Sequence, residues 1–192
     1  LAATWQRILR ESGAAGADRE ARIDAARRVW SEGFVAEELA ASAARPVLDS
    51  SGERHAGVLS GQDMASFAAF YEEPATYDWN GWTVCKAGPW SQGPAFLQQL
   101  ALLPEGLDYG TPEYVHTLTE GTKLAMADRE AWYGDAADVP LADLLGDDYN
   151  EARRALIGAA ASYELRPGRP GGRTPRLSRH ALTRAADVPL AA

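Results

Sequence analysis

The chain has 192 residues, 46% hydrophobic and 24% charged, with a formal net charge of −8, which fits one ordinary globular domain or a large part of one. No run approaches the roughly 18 consecutive apolar residues of a membrane span, and a lone cysteine, Cys85, excludes an internal disulfide framework and any cysteine-based metal cluster. From Arg166 onward six arginines face one acid, Asp187, a local +5 that leaves −13 on the residues before it, and so acidic a body argues against a general nucleic-acid-binding surface.

Residues 2–12 read as an amphipathic helix with Leu1, Trp5, Ile8 and Leu9 on one face and Gly13 as its stop. Asp18 is placed to cap a second helix that turns Ile23, Ala26, Val29 and Trp30 inward. Gly33 breaks it, and Phe34, Val35 and Leu39 begin a third helix that ends before Pro46. Residues 49–56 are mostly polar and read as a loop. Ser60 and Asp63 form a capping-box pattern for a helix with Met64, Phe67 and Ala68 toward the core.

Residues 75–86 predict a hairpin, because Asn80-Gly81 is the dipeptide favoured by a type I′ turn. That register sets Trp79 opposite Trp82 and Tyr77 opposite Val84, an aromatic face expected to pack on helices. Thr76, Asp78, Thr83 and Cys85 take the other face. The prolines of residues 88–94 cannot continue a strand ladder, and Pro94 suits the first position of a helix with Phe96, Leu97, Leu100 and Leu103 as its stripe. Thr111-Pro112 opens the longest helix, whose predicted inward stripe is Val115, Leu118, Thr122, Ala125 and Arg129, closed by Gly134. Asp138 and Pro140 open a short helix. Asp147 or Asp148 caps another that carries Ala152, Leu156 and Ile157 and stops at Gly158. Beyond Arg166 the chain is Pro-, Gly- and Arg-rich and lacks the interleaved aromatics that stack on bases, so a mobile, solvated tail is expected. The reading is α+β: mainly helical, with one hairpin expected to join a larger sheet outside this chain, since a single hairpin is marginal alone.

The sequence shows no self-sufficient active site. Ser91 sits in a Gly/Pro setting, but no nearby histidine is offered as its base, and a turn role is the expected one. Asp128, Arg129 and Glu130 point to different faces of a helix; Arg129 is read as core-facing and able to pair with a buried acid. Asp147-Asp148 is read as a cap rather than a metal pair, and His116 as a partly buried, hydrogen-bonded residue. His55, His116 and His180 are too scattered to suggest a metal site, and no cofactor is implied.

Several segments in fixed order carry a resemblance. Gly57-Val58-Leu59-Ser60-Gly61-Gln62-Asp63-Met64-Ala65, the Tyr77-to-Val84 hairpin and Gly88-Pro89-Trp90-Ser91-Gln92-Gly93-Pro94 each resemble a motif of the γ-glutamyltransferase family, as does the 96–103 helix. The helix from His116 to Gly134 is the strongest piece, through His116, Glu120, Lys123, Leu124, Ala125, Ala127, Asp128, Arg129, Tyr133 and Gly134. Val139-Pro140-Leu141 and Glu164-Leu165-Arg166-Pro167-Gly168 extend it. Gly88 and Trp90 stand where the family has prolines, and Asn80 where it has an arginine.

The resemblance implies an αββα N-terminal-nucleophile hydrolase fold, with residues 1–165 a large-subunit portion and residues 166–192 a mobile tail before an autocleavage region. It implies a small subunit from the same precursor, whose N-terminal Thr, Ser or Cys attacks a γ-glutamyl amide such as glutathione. The acyl group then passes to water or to an amino-acid or peptide acceptor. No catalytic, substrate-binding or metal residue is assigned to this chain; the substrate-holding arginine is expected upstream of Leu1. No charged and apolar leader is legible, and because the chain opens at Leu1 rather than Met its start is expected upstream too; periplasmic, secreted and cytoplasmic placements all stay open. A related acylase acting on another amide, of cephalosporin type, and a non-enzymatic helical interaction module are the alternatives.

Overall fold

The computed structural model describes residues 1–136 and 138–178 and divides the chain into two compact units, Leu1–Phe70 and Tyr71–Ala192.

The first unit holds helices α1 (Ala2–Gly13), α2 (Arg19–Ser31), α3 (Phe34–Ala43) and α4 (Gly61–Ser66). Two short strands, β1 (Val47–Leu48) and β2 (Arg54–His55), pair antiparallel. The Asp18 carboxylate accepts from Ala21 N at 2.8 Å, which caps α2 as its sequence predicts. Ser60 and Asp63 form the expected capping box on α4. Of the predicted α1 face only Ile8 is buried; it shares the interior with Val35 and Ala36. Trp5 stacks on Trp30 instead, with centroids 6.1 Å apart, and the Arg7 guanidinium lies 3.8 Å over the Phe34 ring. Residues 49–56 are not wholly loop. Asp49 accepts from Ser51 N at 2.8 Å and pairs with His55 Nδ1 at 2.7 Å, closing the turn between β1 and β2. Phe67 is exposed rather than in the core, because α4 ends at Ser66 and Phe67 is already extended.

The second unit begins with the hairpin β3 (Ala75–Trp79) and β4 (Trp82–Lys86). Its register is the predicted one, Trp79 opposite Trp82 and Tyr77 opposite Val84. Asn80 and Gly81 both take positive φ, 49° and 80°, the requirement of a type I′ turn. On one face Thr83 Oγ1 donates to Asp78 Oδ1 at 2.6 Å. Helix α5 (Gly93–Ala101) packs across both strands and half-buries Tyr77 and Val84, while Trp82 stays 75% exposed. The aromatic face is therefore only half covered within this unit. The stripe of α5 runs through Pro94, Leu97, Gln98 and Ala101, one position round from the predicted one, and leaves Phe96 outside under the Lys86 ammonium.

Helix α6 (Pro112–Trp132) is capped by Thr111, whose hydroxyl accepts from Tyr114 N at 3.1 Å. It packs on α5, with Leu102, Leu124 and Ala125 at the apolar centre and Ile157 against them. Helices α7 (Leu141–Leu144) and α8 (Asp147–Arg154) follow. Gly146, not Asp147 or Asp148, is the N-cap of α8; the two aspartates lie in its first turn, where their negative charge is attracted by the positive end of the helix dipole.

The expectation of a mobile tail from Arg166 does not hold for its first part. Gly168 and Pro170 are buried, and Pro170–Gly172 makes a 3₁₀ turn. The Arg173 guanidinium reaches Asp143 Oδ2 at 2.5 Å. Side chains buried on α6 and α8 hold this segment in place. Residues 179–192 lie outside the described residues.

Candidate functional site

Buried polar side chains gather on α6, α8 and α5. Asp128, fully buried, accepts four hydrogen bonds. Gln98 Nε2 (2.6 Å) and Tyr149 Oη (2.8 Å) donate to Oδ2, while Arg153 Nη2 (3.1 Å) and Gly168 N (2.6 Å) donate to Oδ1. Four donors fill the roughly four lone-pair sites of a carboxylate. No site is left to accept a substrate proton, so Asp128 is an anchor and not a general base. Tyr133 Oη donates to Gln98 Oε1 at 3.0 Å and extends the chain. Burial, and then the negative charge of Asp128, push the Tyr133 and Tyr149 hydroxyls well above the ordinary tyrosine pKa. Both therefore stay protonated donors.

A second buried carboxylate, Glu120, lies eight residues earlier, about 12 Å along the axis of α6. It pairs with Lys123 and with Arg166 Nη2 at 3.2 Å, and accepts from Ser162 N at 3.3 Å. Burial raises its pKa. The hydrogen bonds from Lys123 and Ser162 and the charges of Lys123 and Arg166 outweigh that and hold it below the ordinary glutamate value. Lys123 Nζ also donates to Ser162 O at 2.6 Å, and His116 Nε2–H to Gly158 O at 2.8 Å. Arg153 Nη2 donates to Arg166 O at 2.5 Å, and Trp132 Nε1 to Gly168 O at 3.1 Å.

The candidate residues fall into place around this network. Arg129 does not face the core: it is half-exposed and pairs with Glu130 Oε1 at 2.5 Å. The buried face is Glu120, Gly121, Leu124, Ala125, Ala127 and Asp128; it keeps the predicted Ala125 but takes in Asp128 in place of Arg129, because the acid rather than the arginine finds buried partners. Ser91 is a turn residue. Its hydroxyl donates to Gly88 O at 2.9 Å and accepts from Gly93 N at 3.0 Å, which fixes the elbow before α5. His116 is half-buried and hydrogen-bonded, as read. Cys85 is exposed. Between Ser91 and the Arg129–Glu130 pair lies a cleft of about 200 Å³, smaller than ordinary ligand pockets of about 300–1,000 Å³. Among the described residues no group of three or more His, Cys, Asp or Glu side chains is placed to hold a metal ion, and no helix is long and apolar enough to cross a membrane.

Glu120, Lys123, Asp128, Tyr133, Arg166 and Gly168, all within the segments that carry the family resemblance, converge in this one network. The sequence model of the gamma-glutamyltranspeptidase family matches residues 1–181. The chain belongs to the gamma-glutamyltranspeptidase family. Similar curated proteins include the glutathione hydrolase proenzyme of Pseudomonas aeruginosa, 32% identical over 124 residues, which cover 60% of this chain and 22% of that protein. The acylase ACY 1 proenzyme of a Pseudomonas species is 30% identical over 123 residues, again 60% of this chain and 22% of the relative. Among solved structures, a LmbA2991 variant is 66% identical with a TM-score of 0.88, covering 96% of this chain and 32% of that one. The gamma-glutamyltranspeptidase of Pseudomonas nitroreducens, complexed with L-DON, has a TM-score of 0.59 at 26% identity over 78% of this chain and 46% of its own. The fold is thus a mainly helical part of the gamma-glutamyltranspeptidase fold, and the chain spans about a fifth of the length of these curated relatives.

Within this chain the network is saturated at Asp128 and serves as support rather than chemistry. Sequence reasoning missed Gln98, Tyr149 and Arg153 as its members. Gln98 lies on an apolar stripe and Arg153 on a short charged helix, and only the pairing of distant helices reveals either as buried. The spacing that could have found the hub is the pair of acids on one long helix, each matched by a cation elsewhere in the chain.

Proposed function

We propose that this chain is the large-subunit portion of a γ-glutamyl amidohydrolase made as a precursor, and that the catalytic nucleophile is carried by a small subunit from the same polypeptide. The enzyme moves the γ-glutamyl group of an amide such as glutathione to water or to an amino-acid or peptide acceptor. The small subunit's N-terminal hydroxyl or thiol attacks the γ-carbonyl with its own α-amine as base, and the acyl-enzyme is then released to the acceptor. The substrate-holding arginine lies upstream of Leu1, and residues 179–192 lead toward the cleavage point. The observation that carries this reading is the saturation of Asp128 within the family's own motif segment: the chain's best-placed acid is spent on structure. N-terminal sequencing of the purified complex tests it, with a second chain beginning in Thr, Ser or Cys expected. Finding this chain alone would overturn it. Hydrolysis of a chromogenic γ-glutamyl anilide then tests the acyl group.

A second reading, an acylase acting on a different side-chain amide, is favoured by the similarity to the acylase ACY 1 proenzyme, which comes close to that of the glutathione hydrolase proenzyme. A panel of amides in which a non-glutamyl acyl group is cleaved faster supports it.

A further inference from the structure

We propose that Glu120 and Asp128 are positioning residues for cleavage of the precursor: they clamp residues 162–168 as a strap on α6 and so set the direction in which the chain runs on toward the cut. The inference rests on the reading of the chain as part of a self-cleaving precursor. The strap belongs to no helix or sheet, so its backbone groups must find partners elsewhere. Ser162 is gripped at N by Glu120 and at O by Lys123. Arg166 is held at its guanidinium by Glu120 and at its carbonyl by Arg153, itself paired to Asp128. Gly168 is held at N by Asp128 and at O by Trp132. Three residues are thus pinned at both ends of their polar inventory, and two buried acids on one helix organise all of it but the Trp132 bond.

Gly168 shows how tight the clamp is. A Cβ there would collide with Tyr149 Oη, stand 2.8 Å from Tyr149 Cζ and meet Arg153 Cδ at 3.0 Å. Pro167 and Pro170 flank it and lock their own φ, so the direction imposed at Gly168 is passed on stiffly. A buried ion pair is a costly way to hold a loop, since apolar side chains of similar volume often serve stability as well. The clamp secures instead one path for the chain. Cleavage needs that path. The step is a net hydrolysis, in which one peptide bond and one water become a carboxyl terminus on the large chain and an amino terminus on the small one. Misplacing reacting groups by about 1 Å slows such a step by about a hundredfold.

The test is made on the full-length precursor. Gly168→Ala should slow its cleavage by about tenfold or more. The same substitution in the two-chain complex made by coexpressing the subunits, where no cut is needed, should leave anilide hydrolysis within about twofold of wild type. If both rates fall together, the strap is only structural and the inference fails. It also fails if cleavage keeps its rate while amide exchange over residues 162–168 rises. Should Gly168→Ala not fold, Arg166→Gln removes one grip at a more exposed position, with a smaller slowing expected and no slowing overturning the idea. A wild-type precursor that stays uncut sinks the parent reading and this inference with it; a cut wild type with an unaffected variant sinks the inference alone.

Discussion

Leu1–Phe70 buries Ile8, Val35 and Ala36 and a single polar side chain, Ser12. The unit from Tyr71 onward sets Gln98, Glu120, Asp128, Asn150 and Arg153 out of solvent beside Leu97, Leu102, Leu124 and Leu144. The first unit ties its helices with surface aromatic and cation–π contacts between α1 and its neighbours. The second ties α5, α6, α8 and a loop through charges whose long-range partners lie 21 to 46 residues away. The Asp128 carboxylate at its centre is fully satisfied, though Asn150 Oδ1, Arg153 Nε and Arg154 Nε lack partners among the described residues, and a paired buried charge leaves few alternative arrangements. Short-range contacts at the surface tolerate slippage. The second unit is therefore the one able to fix the path of a chain segment.

The largest expected effect breaks that contrast at its centre. Asp128→Ala leaves Arg153 buried without its counter-charge and should destabilise the second unit by about 3–5 kcal/mol. Amide exchange reads the two units separately: protection should fall across α6 and residues 162–168 and stay unchanged in α2. A loss below 1 kcal/mol would mean the charges are incidental to the fold. Glu120→Gln should cost about 1.5–3 kcal/mol near neutral pH, the range for a hydrogen bond to a charged group. Because Glu120's folded pKa lies below 4.5, its contribution is fully present above that value and is lost as pH falls through the folded one. The gap in urea midpoint between wild type and Glu120→Gln should thus be widest at pH 6 and narrow below pH 4.5. Asp49 and Asp63 of the first unit are also held low, by Ser51 and by Ser60, but they sit exposed in local turns and should add little to that dependence.

Much of the local structure was legible in the sequence. Asn80-Gly81 fixed a turn and with it the register of two strands, and Asp18, Ser60 and Thr111 marked three helix starts. Each of these signals acts within about four residues. What sequence could not reach was rotation about a helix axis once polar side chains enter the interior. Periodicity put Arg129 inward because it continues the stripe four residues after Ala125, and it left Asp128 outside because a charged side chain is by default surface. Burial of Asp128 depends on Gln98, Tyr149, Arg153 and Gly168, none of which is near it in the chain. The same blindness made Arg166 and Gly168 look like tail: Pro and Gly exclude regular structure, but they do not exclude a docked strap.

The hairpin turn offers a smaller and sharper test of what was legible. Gly81→Ala forces a Cβ into a backbone with φ of 80° and should cost about 1–2 kcal/mol, measured as loss of exchange protection confined to β3 and β4. An effect spreading to α6 would show that the hairpin and the charged interior unfold as one.

The smallest expected effect lies in the first unit. Trp5 and Trp30 stack at 6.1 Å with 22° between their planes, yet each is roughly half exposed. A double-mutant cycle of Trp5→Ala and Trp30→Ala should return a coupling of about 0.5–1.5 kcal/mol, the range for an aromatic pair beyond its buried area. Each single change should lower the protection of α1 and α2 and leave α6 untouched. Coupling near zero would mean that the two rings merely share a surface, and that α1 is held by Ile8 and the Arg7–Phe34 contact alone. Coupling as large as the cost of Asp128→Ala would erase the contrast between the units, since a half-exposed stack would then constrain its unit as strongly as a buried ion pair constrains the other.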